Sequence, residues 1–386
     1  MRLHLRPLLA CVLPLLLAAC QESRLRKDSD ETPPFVFRSL DLKQQDPQGR
    51  PAWQLSSPEA RYDLRRRLAR AERPKGVIFS NGLPVYRLQA DNGTVIGDGE
   101  AILLEGHLRV ERLGATPVLL QAARARWLPR QKLLLVDRRP EAYDNQGRLR
   151  ANRARFRFDT DTLELSGAPR LERWSKRFDP LKTQPSQPAE IDLQASLLTW
   201  KPGSGELTAS GPVQGERRSS GSPASSPAQR LSAESLRGNT RAESYTLAGR
   251  VHFEDPSKAQ QFDGQDVQLD LRAQEGSSSQ AFTAVQGSLR ATGTGLKVVG
   301  PQTLASISSL CHVEQPGEHL DAQRCQWNWS SGAVVAEGTV ALNRVANQQA
   351  SQAQRLEGTL GKDGHISLTA AGSRVVTHLK VPAAHH

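Results

Sequence analysis

The residues readiest for chemistry are Cys311 and Cys325, with His312 and His319 close by in the chain. That group offers a disulfide, two free thiols, or a zinc site made of two sulfurs and two imidazoles. The spacing matches no zinc pattern, so in an oxidising compartment a disulfide is the expected use of both sulfurs and no metal is expected. Catalysis finds little footing elsewhere. The nine histidines are scattered, and no Gly-x-Ser-x-Gly, His-Glu-x-x-His or phosphate-binding loop occurs. Asp159 and Asp161 are a carboxylate pair, but they fall in an expected turn rather than a cleft, so a polysaccharide-modifying enzyme lacks its acid and base. We therefore expect no enzyme and no cofactor. No energy source is visible either, so any directed movement would have to be driven by partners.

Chemistry of another kind is expected at the N-terminus. Residues 1–6 are basic, Pro7 to Ala19 form an uncharged apolar run, and Cys20 follows. This is the layout of a secretory signal, and the run is too short to span a bilayer comfortably. Leu17-Ala18-Ala19-Cys20 resembles the lipobox of bacterial lipoproteins, in which the cysteine sulfur takes a diacylglyceryl group and the signal is cut just before it. The expectation is a signal peptide over 1–19, a lipid anchor on Cys20 and a flexible polar tether over 20–34. With acyl chains worth roughly 0.8 kcal/mol per buried methylene, such an anchor tethers the protein without spanning the membrane. No later segment has the apolar length of a transmembrane helix.

The net charge is +11, with 37% hydrophobic and 5% aromatic residues. A basic exported chain suits anionic partners such as phospholipid headgroups, lipid phosphates or acidic glycans. Nucleic acid fits poorly, because no aromatic–basic motif of the RNA-binding kind is present. A modest apolar fraction over this length also favours an elongated structure with a thin core over one globule.

Order is expected from Phe35 onward. Short alternating runs such as Val85–Ala90 and Val267–Leu271 are separated by turn signals such as Asn81-Gly82 and Asp98-Gly99, so the fold class is all-β. Pro58 to Arg73, where Arg65, Arg66, Arg67 and Arg70 crowd together, reads as a charged loop or a short helix. A loose repeat is visible in Leu104-Glu105-Gly106, Leu165-Ser166-Gly167, Leu247-Ala248-Gly249 and Ala336-Glu337-Gly338. Glycine inside a strand marks a bulge or bend, so each unit can fold from one sheet to a facing one and units can stack. Residues 176–190, rich in proline, read as a linker with a soft boundary near 180, and residues 215–230 as a low-complexity loop.

Residues 35–110 resemble the LptC family of lipopolysaccharide-export components. The match runs through Phe37–Leu42, then Gly49-Arg50-Pro51-Ala52-Trp53, Ala60-Arg61-Tyr62, Ala90-Asp91-Asn92-Gly93 and Leu104-Glu105-Gly106-His107-Leu108-Arg109-Val110. The order is that of the family: an early strand, a Gly-x-Pro-x-Trp turn, an Ala-x-Tyr strand, an Ala-Asp-x-Gly turn and a Leu-x-Gly-x-Val strand. Later repeats are similar to the OstA-type units of LptA proteins. The chain departs from the family in its length and in carrying a lipid anchor where short members have a transmembrane helix.

The resemblance implies an open β-jellyroll (a β-taco) of stacked antiparallel strands over residues 35–175, extended by OstA-like repeats over 191–380. It implies an apolar groove between the sheets, lined by Phe37, Leu40, Leu42, Trp53, Leu55, Tyr62, Val85, Leu88, Ile102, Leu104 and Leu108. The cargo would be lipopolysaccharide. The implied partners are an inner-membrane ABC transporter complex and an LptA-like bridge protein, joined by pairing of the edge strands Phe35 to Leu42 and Ser373 to Leu379. The implied place is the periplasm at the inner membrane, although Gln21 after the anchor cysteine gives no inner-membrane retention signal. Arg65 to Lys75 would meet headgroups or lie solvated. The competing reading is a scaffold lipoprotein of the envelope with no lipid cargo.

Overall fold

A computed structural model describes residues 35–218, 227–345, 348–359, 364–370, 372 and 374–379. The expected signal peptide, Cys20 and the tether lie outside these residues, as does 219–226 of the expected low-complexity loop. Among the described residues there are 31 strands, three single-turn 3-10 segments and no α-helix, and none of them forms a helix long and apolar enough to cross a membrane.

The strands pair antiparallel into two facing runs of sheet, and the long strands belong to both. In Ala101–Arg112, residues 101–105 pair with Asn92–Ile96 of one sheet, while residues 109–112 pair with Leu83–Gln89 of the other. The next strand, Val118–Leu128, returns along the same path, with a register shift between Ala122 and Arg124. The same device recurs in every strand from Glu206–Arg217 to Leu304–Gln315, and again in Ala333–Arg344 and Gln349–Thr359. At the corner one strand of the pair carries one residue more than its partner, and the apolar faces still meet inside on both sides of it.

Glycine makes the corner possible. Gly106 and Gly338 have φ of 73° and 84°. A Cβ on Gly106 would come 2.4 Å from Asp91 of the neighbouring layer, and one on Gly338 would come 2.4 Å from Gln323. The expected bend at the repeat glycines is thus what the fold uses.

Sequence and structure differ at Pro58 to Arg73. This segment is a hairpin of strands, Glu59–Asp63 and Leu68–Glu72, with Tyr62 opposite Ala69. The arginine density hid a period of two: Ala69 and Ala71 are buried while Arg70 and Glu72 face water. The turn is held by Arg67, which bonds Asp98.

Neither sheet breaks near residue 180. Arg170–Arg173 pairs directly with Ile191–Gln194, and Thr162–Ser166 with Leu197–Trp200, so residues 174–190 form an excursion from a continuous structure. That excursion is pinned by the Trp174 indole N–H, which donates to the Gln187 carbonyl at 2.9 Å. Cys311 and Cys325 are joined in a disulfide with a Cα–Cα distance of 6.0 Å. Cys311 pairs within one sheet and Cys325 within the other, so the bond ties the two sheets together beside a corner.

The corner geometry makes a prediction. Gly338→Ala meets both a left-handed backbone and a filled space, whereas Gly317→Ala, at φ 80°, meets the backbone cost with nothing within 4 Å. Gly317→Ala is expected to cost about 1 kcal/mol and Gly338→Ala clearly more, read as the difference in their urea unfolding midpoints. Equal costs would contradict a packed corner.

Candidate lipid-binding interior

The inward faces of the two sheets form cross-strand rows. In one sheet the row starts Phe37, Ala60, Ala71, Gly93, Leu104, Ala125, each directly opposite the next. It passes through Leu165, Leu198 and Leu247 and ends Cys325, Ala336, Leu356, Leu368. In the facing sheet the row starts Leu42, Leu55, Gly76, Leu88, Val110, Leu120. It runs on through Leu193, Phe262 and Leu320 to Leu342, where it turns polar at Ser351 and Thr377. Both rows are small or apolar along this path because inward positions recur every second residue and neighbouring strands stay in register.

The filling of this interior is graded. Between Trp53 and Val251 it holds large side chains. Trp53 of one sheet meets Trp127 of the other edge-on at 5.3 Å, and Tyr86 meets Phe156 at 5.2 Å. Trp127 and Trp200 are fully buried. A gap lined by Tyr86, Val110 and Trp200 has about 10 Å³ of room, at the lower limit for a single water.

From Phe262 to Leu296 the inward positions are mostly small. Gly264, Gly276, Ala284, Ala291 and Gly293 stand where the first half has Leu or an aromatic ring. Phe262, Leu269 and Leu296 are accordingly only half-buried. Phe262 packs against the apolar clusters on both sides and joins them, stacked on Phe282 at 6.1 Å.

A polar clasp closes the mouth over the large-residue section. Asp161, in a turn at the rim of one sheet, accepts from the Tyr86 hydroxyl and the Gly203 N–H and lies 3.9 Å from Arg112 of the facing sheet. Arg241 reaches across to Thr116 at 3.0 Å, and Arg173 donates to the Thr240 carbonyl at 3.3 Å. Burial, with the Asp161 charge beside it, pushes the Tyr86 hydroxyl well above the usual phenol range. The proton is thus held on the hydroxyl, which donates it to Asp161 in a hydrogen bond. Burial and Glu141 likewise push Tyr143 up to about 12.

Of the residues expected to line the groove, Trp53, Leu55, Leu88, Ile102, Leu104 and Leu108 are buried between the sheets. Leu40, Leu42, Tyr62 and Val85 are half-buried. Phe37 lies on the outermost strand, 45% exposed and edge-on to Tyr62 at 6.5 Å. Val85 and Leu88 are an odd number of residues apart, and the structure gives the inward positions to Tyr86 and Leu88. Tyr86, Trp127, Trp200 and the small residues of the middle section were missed. A strict count by twos from Leu88 finds Tyr86; the others require the strand pairing.

Asp159 and Asp161 separate the clasp from its surroundings. Among the described residues, Asp159 bonds only the N–H of its own turn at Thr160, at 3.0 Å. Asp161→Ala is expected to destabilise the protein by about 1–3 kcal/mol, because it strands a buried hydroxyl and a backbone N–H. Asp159→Ala should change it by no more than about 0.5 kcal/mol. Chemical denaturation of the two variants reads the difference, and comparable losses would show that the clasp carries no weight.

Residues 8–170 match the family model described as "Lipopolysaccharide-assembly, LptC-related". No curated protein matches the chain in sequence. Among solved structures, the chain is similar to LptH, described as the LptA homologous periplasmic component of the conserved lipopolysaccharide transport device from Pseudomonas aeruginosa. That likeness has 10% identity and a TM-score of 0.25, over 35% of this chain and 88% of that one, and is too slight to bear on fold or function. Over residues 8–170, a little under half of its length, the chain is thus similar to the LptC-related family of lipopolysaccharide-assembly proteins.

Proposed function

We propose that this protein is a periplasmic carrier in lipopolysaccharide transport, holding acyl chains between its two sheets. The observation that supports this reading is the pair of inward rows, apolar or small at nearly every position, that run along most of the described chain. An acyl chain in water costs roughly 0.8 kcal/mol for each exposed methylene, and a continuous dry path removes that cost at every step. Trp53, Leu55, Leu88, Ile102, Leu104 and Leu108 would line the N-terminal part of the path, with Phe37, Leu40, Leu42, Tyr62 and Val85 at its open end. The half-filled stretch from Phe262 to Leu296 offers the most accessible apolar surface. Over the tightly filled part, cargo would enter by release of the Asp161 clasp and parting of the sheets.

The ends suit assembly with other sheets. Phe35 and Val36 are exposed on the first strand, and Val376 and Leu379 on the last. Unpaired edges of this kind accept further strands. In our reading these edges join an inner-membrane ABC transporter complex and an LptA-like bridge protein, and Cys20 carries a lipid anchor that holds the protein at the inner membrane. No chemical step is required of the protein itself.

The close packing between Trp53 and Val251 favours a second reading, an envelope scaffold lipoprotein with no lipid cargo. Native mass spectrometry of the protein purified from lipopolysaccharide-producing cells separates the two. A carrier should retain lipopolysaccharide or its lipid part, and Leu269→Glu with Leu296→Glu should abolish that mass in protein that circular dichroism shows to be still folded. A wild-type protein free of lipid would favour the scaffold.

A further inference from the structure

We propose that His312, Glu314 and His319 form a binding site for a divalent transition-metal cation of the Zn2+ class, with Asp321 positioning His312. The site lies on the outer face of one sheet, away from the interior. Its residues come from two adjacent strands, Leu304–Gln315 and Glu318–Ala322, joined by a tight turn at Pro316-Gly317. Register places Glu314 opposite His319, and His312 opposite Asp321. His312 and Glu314 are two apart on one strand and so share a face.

One ligand atom from each of the three residues, an imidazole nitrogen or a carboxylate oxygen, lies within 4.8 Å of the others. In a tetrahedral zinc site with bonds of about 2.0–2.1 Å, ligand atoms sit about 3.4 Å apart, so closure needs only side-chain rotation. The imidazole of His312 is already aimed. Its Nδ1 lies 2.6 Å from Asp321 Oδ1, and its Nε2 lies 3.7 Å from Glu314 Oε2. A carboxylate on Nδ1 fixes the proton there and leaves the Nε2 lone pair free to bind metal, which is the usual outer-shell arrangement of metal-bound histidine. Arg290 approaches the other Glu314 oxygen, Oε1, at 3.8 Å and leaves Oε2 facing the histidines.

The backbone beneath is rigid. Val313 and Leu320 point inward from the same two strands into a packed cluster, and Cys311, next to His312, is locked to Cys325. The disulfide uses both sulfurs, so the donor set is two imidazoles and one carboxylate. That set suits zinc, nickel or copper and not the all-oxygen coordination of calcium or magnesium. Three protein ligands leave a fourth position for water or an external donor.

The test is equilibrium dialysis of the chelator-stripped full chain against micromolar Zn2+, with bound metal counted by mass spectrometry. One equivalent should bind. His312→Ala and His319→Ala should each lose it, while Asp321→Asn should keep the stoichiometry and weaken affinity about 10–100-fold. These side chains are solvent-facing, so the variants should melt as the parent does, and His319→Gln provides a near-isosteric check. Absence of binding by the parent would overturn the site. So would a full equivalent retained by His319→Ala, since the metal would then lie elsewhere.

Discussion

Side chains alternate across a strand, and each long strand here must cross from one sheet to the facing one without turning its apolar face to water. The rest of the architecture depends on meeting that constraint at every layer. Three residues separate Leu104 from Leu108 where only two separate their partners Ala125 and Ala122, yet all four are buried. Gly106 and His107, both at positive φ, absorb the extra residue between them. Because later long strands solve the problem with the same register shift, layers can be added indefinitely, and the interior becomes a line instead of a globule.

That one-dimensional interior can be tuned locally without changing the fold. Tryptophan, tyrosine and phenylalanine fill it near the N-terminal end, and the Asp161 clasp bridges its rims there. Glycine and alanine thin it between Phe262 and Leu296, and a disulfide takes over as the brace near Cys311. Rigidity and accessibility are thus distributed along the chain, with the least filled stretch flanked by two well-packed clusters.

Much of this was legible in the sequence because its signals are local. Period-two alternation marked the strands, and glycine after a Leu-x or Ala-x step marked the corners. Pro58 to Arg73 misled because six arginines masked the three inward alanines, Ala60, Ala69 and Ala71, that define its hairpin. Continuity past residue 180 could not be read, since it rests on Thr162–Ser166 pairing with a strand some thirty residues on. The same holds for His312, Glu314, His319 and Asp321, whose proximity comes from register across a turn and follows no zinc spacing. The middle section was missed for a related reason: a lone Gly276 or Ala284 means little until Leu269 and Phe262 are seen opposite.

The central claim is that the inward rows form a path for acyl chains. The most direct test is photo-crosslinking in intact lipopolysaccharide-producing cells, from a reactive side chain placed at Leu104 or at Leu269. The account predicts lipopolysaccharide adducts from both inward positions, more from the half-filled Leu269, and none from their outward neighbours Glu105 and Gln268. Adducts to protein alone at Leu104 and Leu269, or lipid adducts of equal yield at Glu105 and Gln268, would contradict it.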